Sequence, residues 1–260
     1  MAARLRIFKT HGVVLKQMPL GEADRILTIC TPDAGKLRAV AKGIRRTKSR
    51  MGGHLEPLTH VSVSVSQGRS LDTITEAETI HSFRGLREDL HLVSRAVYVA
   101  ELVDGFSVEQ SPSTAVFGLL LDTLGRLQQT SSAQSLVRNF EVQLLKHTGF
   151  GPELHLCVEC RSLVEPGDHL FSCAKGGVLC PQCRPRLGVA TIPVSLNAMK
   201  VLRYFQREAR AGAAMPNVPL AILNELQWIL GTYITHVLER ELKSTQFMYL
   251  VAPMTRGQRG

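Results

Sequence analysis

Val61-Ser62-Val63-Ser64-Val65-Ser66 alternates apolar and small polar residues without a break, and after Gln67-Gly68-Arg69-Ser70 a second alternating run follows, Leu71-Asp72-Thr73-Ile74-Thr75. Successive side chains of a strand point to opposite faces, so each run offers one face to a core and one to water. The Gly68 segment between them is a hairpin signal. Towards the N-terminus, residues 10–17, 25–31 and 36–42 read as three more strands, with Gly21 and Pro32-Asp33-Ala34-Gly35 as punctuation. Five short strands in one stretch predict a small barrel. An OB-fold, five strands in a partly open barrel that binds oligonucleotides, is the expectation, although the pattern alone also allows an SH3-like closure.

Beyond Gly85 the period changes. Leu86, Leu90, Val93, Val97 and Ala100 recur at helical spacing and predict an apolar stripe. Further helices fit residues 112–129, with Ser111 as N-cap and Pro112 at the first helical position, and 133–148, ending at Gly149. Two more fit about 195–210 and 219–243. Leu119, Leu120, Leu121 and Leu124 read as helix core in preference to a binding stripe. The fold class is therefore α+β, with a barrel first and helices after it.

Charge is distributed unevenly. Residues 1–50 hold 12 of the 31 basic and only 3 of the 22 acidic residues, so the whole excess of +9 lies there and the other 210 residues are neutral. Lys36, Arg38, Lys42, Arg45, Arg46, Lys48 and Arg50 fall in fifteen residues, and no acidic residue occurs between Asp33 and Glu56. Concentrated positive charge suits a polyanion, because guanidinium and ammonium groups pair with phosphate oxygens and release counterions. The competing reading is a solvated charged loop. Aromatic residues are sparse here, with Phe8 and Phe83 the nearest, so phosphate contacts should dominate over base reading.

Five of six cysteines lie between residues 157 and 183. Cys157-Val158-Glu159-Cys160 and Cys180-Pro181-Gln182-Cys183 are two knuckles separated by nineteen residues, the spacing of a zinc ribbon. Each knuckle offers two thiolates on one side, and four complete a tetrahedron with no open position, so the metal would hold the fold and not catalyse. A redox dithiol is the competing reading. Cys173, His155 and His169 are near enough in sequence to replace a ligand, Cys30 reads as a small buried hydrophobe, and Gly176-Gly177 fits a tight turn.

Several functions lack their residues. Gly35-Lys36 resembles the end of a phosphate loop, but Leu37 stands where Ser or Thr is required. No His-Glu-x-x-His, Gly-x-Ser-x-Gly or acidic cluster for magnesium is present, so no enzyme is expected. The run Leu220–Leu238 is interrupted by Asn224, Glu225, Gln227 and His236, which excludes it as a membrane span. Arg4, Arg6 and Lys9 interrupt the N-terminus where an export signal would be apolar, so a cytoplasmic chain with reduced thiols is expected.

Taken with the strand pattern and the knuckles, Gly21-Glu22-Ala23-Asp24-Arg25-Ile26, Gly35-Lys36, Ala41-Lys42-Gly43-Ile44-Arg45-Arg46-Thr47-Lys48-Ser49-Arg50 and Leu55-Glu56-Pro57 resemble the N-terminal OB-fold of the RecO family. Leu86-Arg87-Glu88-Asp89-Leu90, Glu101-Leu102 and Leu144-Leu145 to Gly149 extend the resemblance through the helices. It implies a DNA repair and recombination mediator that binds single- and double-stranded DNA without using a nucleotide. It also implies annealing of strands coated by single-strand binding protein and, with RecR, loading of RecA. The resemblance assigns Arg25, Lys42, Arg45, Arg46, Lys48 and Arg50 to DNA, and the basic block adds Lys36 and Arg38. Cys157, Cys160, Cys180 and Cys183 become ligands of a structural Zn2+. Cys173 departs from the family pattern. The expected organisation is an OB-fold at 1–82, a helical domain at 83–154 and 187–250, a zinc-binding insert at 155–186 and a tail at 251–260. A nucleoid-associated cytoplasmic location follows, and an RNA- or ribosome-binding protein is the alternative.

Overall fold

The computed structural model describes residues 7–183, 190–207 and 215–251. They form two compact units, one comprising the segment through Gln129 with the segment from Lys243, the other Thr130–Leu242.

In the first unit β1 (Ile7–Leu20), β2 (Asp24–Thr31), β3 (Gly35–Ala41), β4 (His60–Ser66) and β5 (Asp72–His81) close a barrel in the order β1-β2-β3-β5-β4. The alternation of β4 is realised: Val61, Val63 and Val65 are buried and the serines between them half-buried. β1 is longer than residues 10–17 because it serves two neighbours. Ile7 to Val13 pair with β4 and Val13 to Leu20 with β2, with a register shift between Val14 and Lys16. Such an irregularity increases strand coiling, which lets the sheet bend round to meet its other edge. Gly12 lies just before this point, where a Cβ would overlap the Cys30 carbonyl oxygen and the Ile29 side chain. Parallel pairing of β3 with β5, from Ala39↔Asp72 to Ala41↔Ile74, makes the last seam.

The barrel interior holds Val14, Leu27, Ile29, Leu37, Val63 and Ile74 among others, and Ile44 and Leu55 reach into it from the connection between β3 and β4. Each large side chain so withdrawn contributes about 1.5–3 kcal/mol. That connection is therefore anchored at both ends by its own apolar residues.

The same unit contains α1 (Arg84–Arg87), α2 (Leu90–Phe106), α3 (Thr114–Leu127) and α7 (Lys243–Val251). Asp89 caps α2 by accepting from the N–H groups of His91 at 2.7 Å and Leu92 at 3.3 Å. The expected stripe is buried only in part: Leu86 and Ala100 are buried and Val93 half-buried. Leu90 and Val97 are exposed, while Ala96, Tyr98, Val99, Leu102 and Val103 are buried, because Leu86 belongs to a separate turn and α2 packs against α3, α7 and the barrel at once. The cap of α3 is Ser113, whose hydroxyl accepts from Val116 N–H at 3.2 Å, and not Ser111. The backbone of Ser111 lies against Gly35, ahead of the first helical residue, Thr114. Leu120 and Leu124 are buried, as a core reading of α3 requires.

The second unit packs α4 (Ala133–His147) with α5 (Leu196–Gln206) and α6 (Leu220–Leu238), and carries a three-stranded sheet, β7 (Gly177–Leu179), β6 (His169–Ser172), β8 (Ile192–Val194) in that order. α4 ends as expected at Gly149, φ +84°. α6 stops at Leu238 through Glu239 in the left-handed region, short of residue 243. The helix expected at 195–210 ends at Gln206, because Arg207 is already extended; residues 208–210 lie outside the described residues. Compactness thus groups α1–α3 and α7 with the barrel, where the sequence placed 83–154 and 187–250 in one helical domain. The expected tail, 251–260, lies outside the described residues after Val251.

Candidate nucleic-acid interface and metal centre

The basic block occupies β3 and the connection that follows it. Turns shape this connection: Arg46 N–H donates to Gly43 O at 3.1 Å and Ser49 N–H to Arg46 O at 2.9 Å. Gly43 adopts φ +64°, a left-handed conformation that glycine takes without steric cost. Two further hydrogen bonds fasten the connection to the β1–β2 hairpin, from Arg45 N–H to Ala23 O at 3.0 Å and from Gly43 N–H to Asp24 Oδ1 at 2.7 Å.

The eight cations singled out from sequence divide into two groups. Lys42, Arg45, Arg46, Lys48 and Arg50 are exposed, and among the described residues no acidic side chain pairs with them. The other three have partners. Arg25 donates to Gln17 Oε1, and Gln17 in turn donates to Leu55 O. Lys36 Nζ donates to Asp104 O at 2.6 Å and lies 3.3 Å from Asp104 Oδ1, while Arg38 stands 3.7 Å from Glu109. Lys16, which the sequence did not single out, completes the Asp104 site at 2.6 Å. Burial alone would raise the Asp104 carboxyl, but the hydrogen bond and charge of Lys16 and the charge of Lys36 outweigh it and hold it below its ordinary value.

In the second unit Cys157, Cys160, Cys180 and Cys183 converge, with their sulfur atoms all within 4.8 Å of one another. Cys157 N–H donates to Ser162 O at 2.8 Å and Arg161 N–H to Cys157 O at 2.9 Å, closing the first knuckle, and Cys183 N–H donates to Cys180 O at 3.1 Å in the second. Cys180 N–H points at Cys157 Sγ, 3.4 Å away. The knuckles are brought together through Val158 N–H to Val178 O at 2.9 Å and Val178 N–H to Glu153 O at 3.0 Å. A Cβ at Gly177 would strike Glu153 O and Val158 Cγ1, so this approach needs a glycine, and Gly176 supplies φ +66° in the turn before it.

The donor set fits a metal. Four sulfurs at about 2.3 Å from a tetrahedral zinc stand about 3.8 Å apart, and Cys160 Sγ lies 3.7 Å from Cys180 Sγ. The Ser162 hydroxyl and N–H, with Cys157, lower Cys160 to about 6, whereas burial and the neighbouring thiols push Cys183 up to about 12. Protons leave such a set unevenly, and four thiolates this close require a compensating cation. Cys173, His155 and His169 are not part of the group. Burial raises Cys173, and His169 Nε2 lies 2.7 Å from Glu165 O. Cys30 is buried in β2 and pushed up to about 12 by that burial.

These features define an OB-type barrel protein with a helical part that bears a four-cysteine centre. Family models described as "Recombination protein O N terminal" and "Recombination protein O C terminal" match residues 5–83 and 87–246. "DNA repair protein RecO" of Dehalococcoides mccartyi (strain 195) is 40% identical over 91% of this chain and 93% of that protein. The protein of the same name from a Roseiflexus species is 35% identical over 97% of this chain and 89% of its own. The chain belongs to the RecO family of DNA repair proteins. No helix among the described residues is long and apolar enough to cross a membrane.

Proposed function

We propose that this protein is a cytoplasmic, nucleoid-associated mediator of DNA repair and recombination that acts by binding and not by covalent catalysis. It holds single- and double-stranded DNA on the connection between β3 and β4, where Lys42, Arg45, Arg46, Lys48 and Arg50 pair with phosphates. The observation that carries this reading is five exposed cations without an acidic partner among the described residues, displayed on one anchored connection of an OB-type barrel. Arg38 lies 44% exposed beside them and adds positive field while keeping Glu109 as its partner, and Arg25 and Lys36 brace the interface. Cys157, Cys160, Cys180 and Cys183 hold a structural Zn2+, which supplies a four-way cross-link within a small sheet and takes no part in strand pairing.

Bound strands have their phosphate repulsion neutralised, so two complementary strands meet at lower electrostatic cost and anneal without a nucleotide. The protein extends this to strands coated by single-strand binding protein and, with RecR, promotes RecA loading. The test is annealing of complementary strands precoated with the cognate single-strand binding protein, with ATP absent. Acceleration is the expected result. No acceleration together with equal affinity for RNA would favour an RNA- or ribosome-binding protein instead.

A further inference from the structure

We propose that the outer face of the β1–β2 hairpin receives unpaired nucleobases, on an apolar shelf made by Met18, Leu20 and Ile26 beside the basic connection. The inference rests on the DNA-binding reading above and deepens it by adding a base-contacting element to a site so far described through phosphates alone.

Strand register places these residues together. Met18 is in register with Ile26, and Ile26 with Val40. Leu27, Ile29, Ala39 and Ala41 fill the barrel interior, so Ile26 and Val40, one step removed, face outward, and Met18 shares their face. Leu20 is in register with Asp24 two residues further on, on the same side. Exposure grades along the row: Val40 is 8% exposed, Ile26 half-buried, Met18 49% and Leu20 40%. A single exposed apolar residue needs no explanation, but adjacent ones on a hairpin tip form a surface that water wets poorly.

Its surroundings identify the occupant. Lys42 directly follows Ala41, which is in register with Arg25, and the Gly43–Asp24 and Arg45–Ala23 hydrogen bonds fix the cationic connection against the hairpin. A single strand carries phosphates along one side and bases along the other, so it is matched by a cationic strip with an apolar strip fastened next to it. A neutral protein helix would use the shelf but leave five cations unanswered. The hairpin between the first two strands is also one of the loops through which OB barrels bind oligonucleotides. The thioether of Met18 is soft and polarizable and makes favourable contacts with aromatic rings. Duplex bases are stacked away from such a shelf, so it should bias the barrel towards unpaired DNA.

The experiment uses the full chain and two strands of equal length and charge, one of thymidylate and one of abasic phosphodeoxyribose, titrated at one salt concentration. Wild type should prefer the thymidylate strand about five- to tenfold, the lower range of base-stacking effects because the shelf is aliphatic. The double variant Met18→Ser, Leu20→Ser should reduce this preference to about twofold or less, with abasic affinity and salt dependence unchanged. Both positions are exposed, and an unchanged thermal midpoint verifies the fold. A variant that keeps the whole preference, or a wild type that shows none, overturns the shelf. If wild type binds neither strand, the DNA reading itself falls and the shelf with it. That failure is distinguishable, because in failure of the shelf alone both strands still bind and Arg45→Glu, Arg46→Glu still releases them.

Discussion

The Asp24 carboxylate accepts a 2.7 Å hydrogen bond from the backbone N–H of Gly43, so an acidic side chain sits inside the most basic part of the chain and holds it in place. Its charge and its hydrogen bond have opposite consequences for a polyanion, and substitution separates them. By charge alone, Asp24→Ala should tighten DNA binding. If the carboxylate acts by fixing the connection, the same variant should weaken binding several-fold, with a cost to stability of about 1 kcal/mol for the lost half-buried bond. We expect weakening, measured by fluorescence anisotropy of a labelled single strand beside a urea titration; tighter binding would assign Asp24 a purely repulsive role.

Five phosphate contacts to single-stranded DNA predict a slope of log affinity against log salt of about −3.5. Arg45→Ala, Arg46→Ala should flatten it to about −2.1, and reversal of Arg45, Arg46 and Lys48 to glutamate should abolish most binding with the metal retained. Lys36→Ala should behave differently. It leaves the buried Asp104 with Lys16 as its one lysine partner among the described residues, so it should cost stability by about 1–3 kcal/mol and leave the slope unchanged. A slope that moves with Lys36 and not with Arg45 and Arg46 would relocate the phosphate site to β3.

Cys157→Ser, Cys160→Ser removes one knuckle, including a buried thiol. The protein should purify with about one zinc per chain, and the double variant should lose it, with a thermal midpoint several degrees lower. A chelator should do the same to the wild type, followed by a chromophoric zinc indicator and near-ultraviolet circular dichroism. Full stability of the variant with zinc still bound would exclude the four-thiolate centre.

The parts of this fold that were legible are those written in local periods. Alternation announces β4 and the start of β5, and two matched knuckles announce a centre whose sulfurs the fold indeed gathers. What stayed hidden depends on partners far away in sequence. β1 outruns its own pattern because it changes partner at Val13. The helix α7 carries no capping signal of its own, since the Glu101 carboxylate, 142 residues earlier, accepts from Lys243 N–H at 3.0 Å and Ser244 N–H at 2.8 Å. A run of cations likewise reveals its charge but not its pairing. Lys36 and Lys42 look alike in sequence, and only Asp104 on α2 tells a structural lysine from an open one.

A histidine pair makes the first unit sensitive to acid in a defined window. His11 Nδ1 and His60 Nε2 lie 3.0 Å apart, so one ring donates and the other accepts, and Phe117 of α3 packs edge-on against both. Burial, together with the charges of His11 and His81, lowers His60 to about 4. The folded value is below the unfolded value of about 6.5, so only the unfolded chain takes up this proton between them. The contribution is therefore present above about pH 6.5 and is lost as pH falls through 4. His60 is only half-buried, so solvent screening reduces the effect to about 1–2 kcal/mol. Urea titrations at pH 7 and pH 4.5 should show wild type losing more stability than His60→Gln by that amount, because glutamine keeps a partner for His11 and does not titrate. Equal losses would place the acid sensitivity in other groups, while a greater loss in the variant would mean that His60 is stabilised in its charged form by the fold.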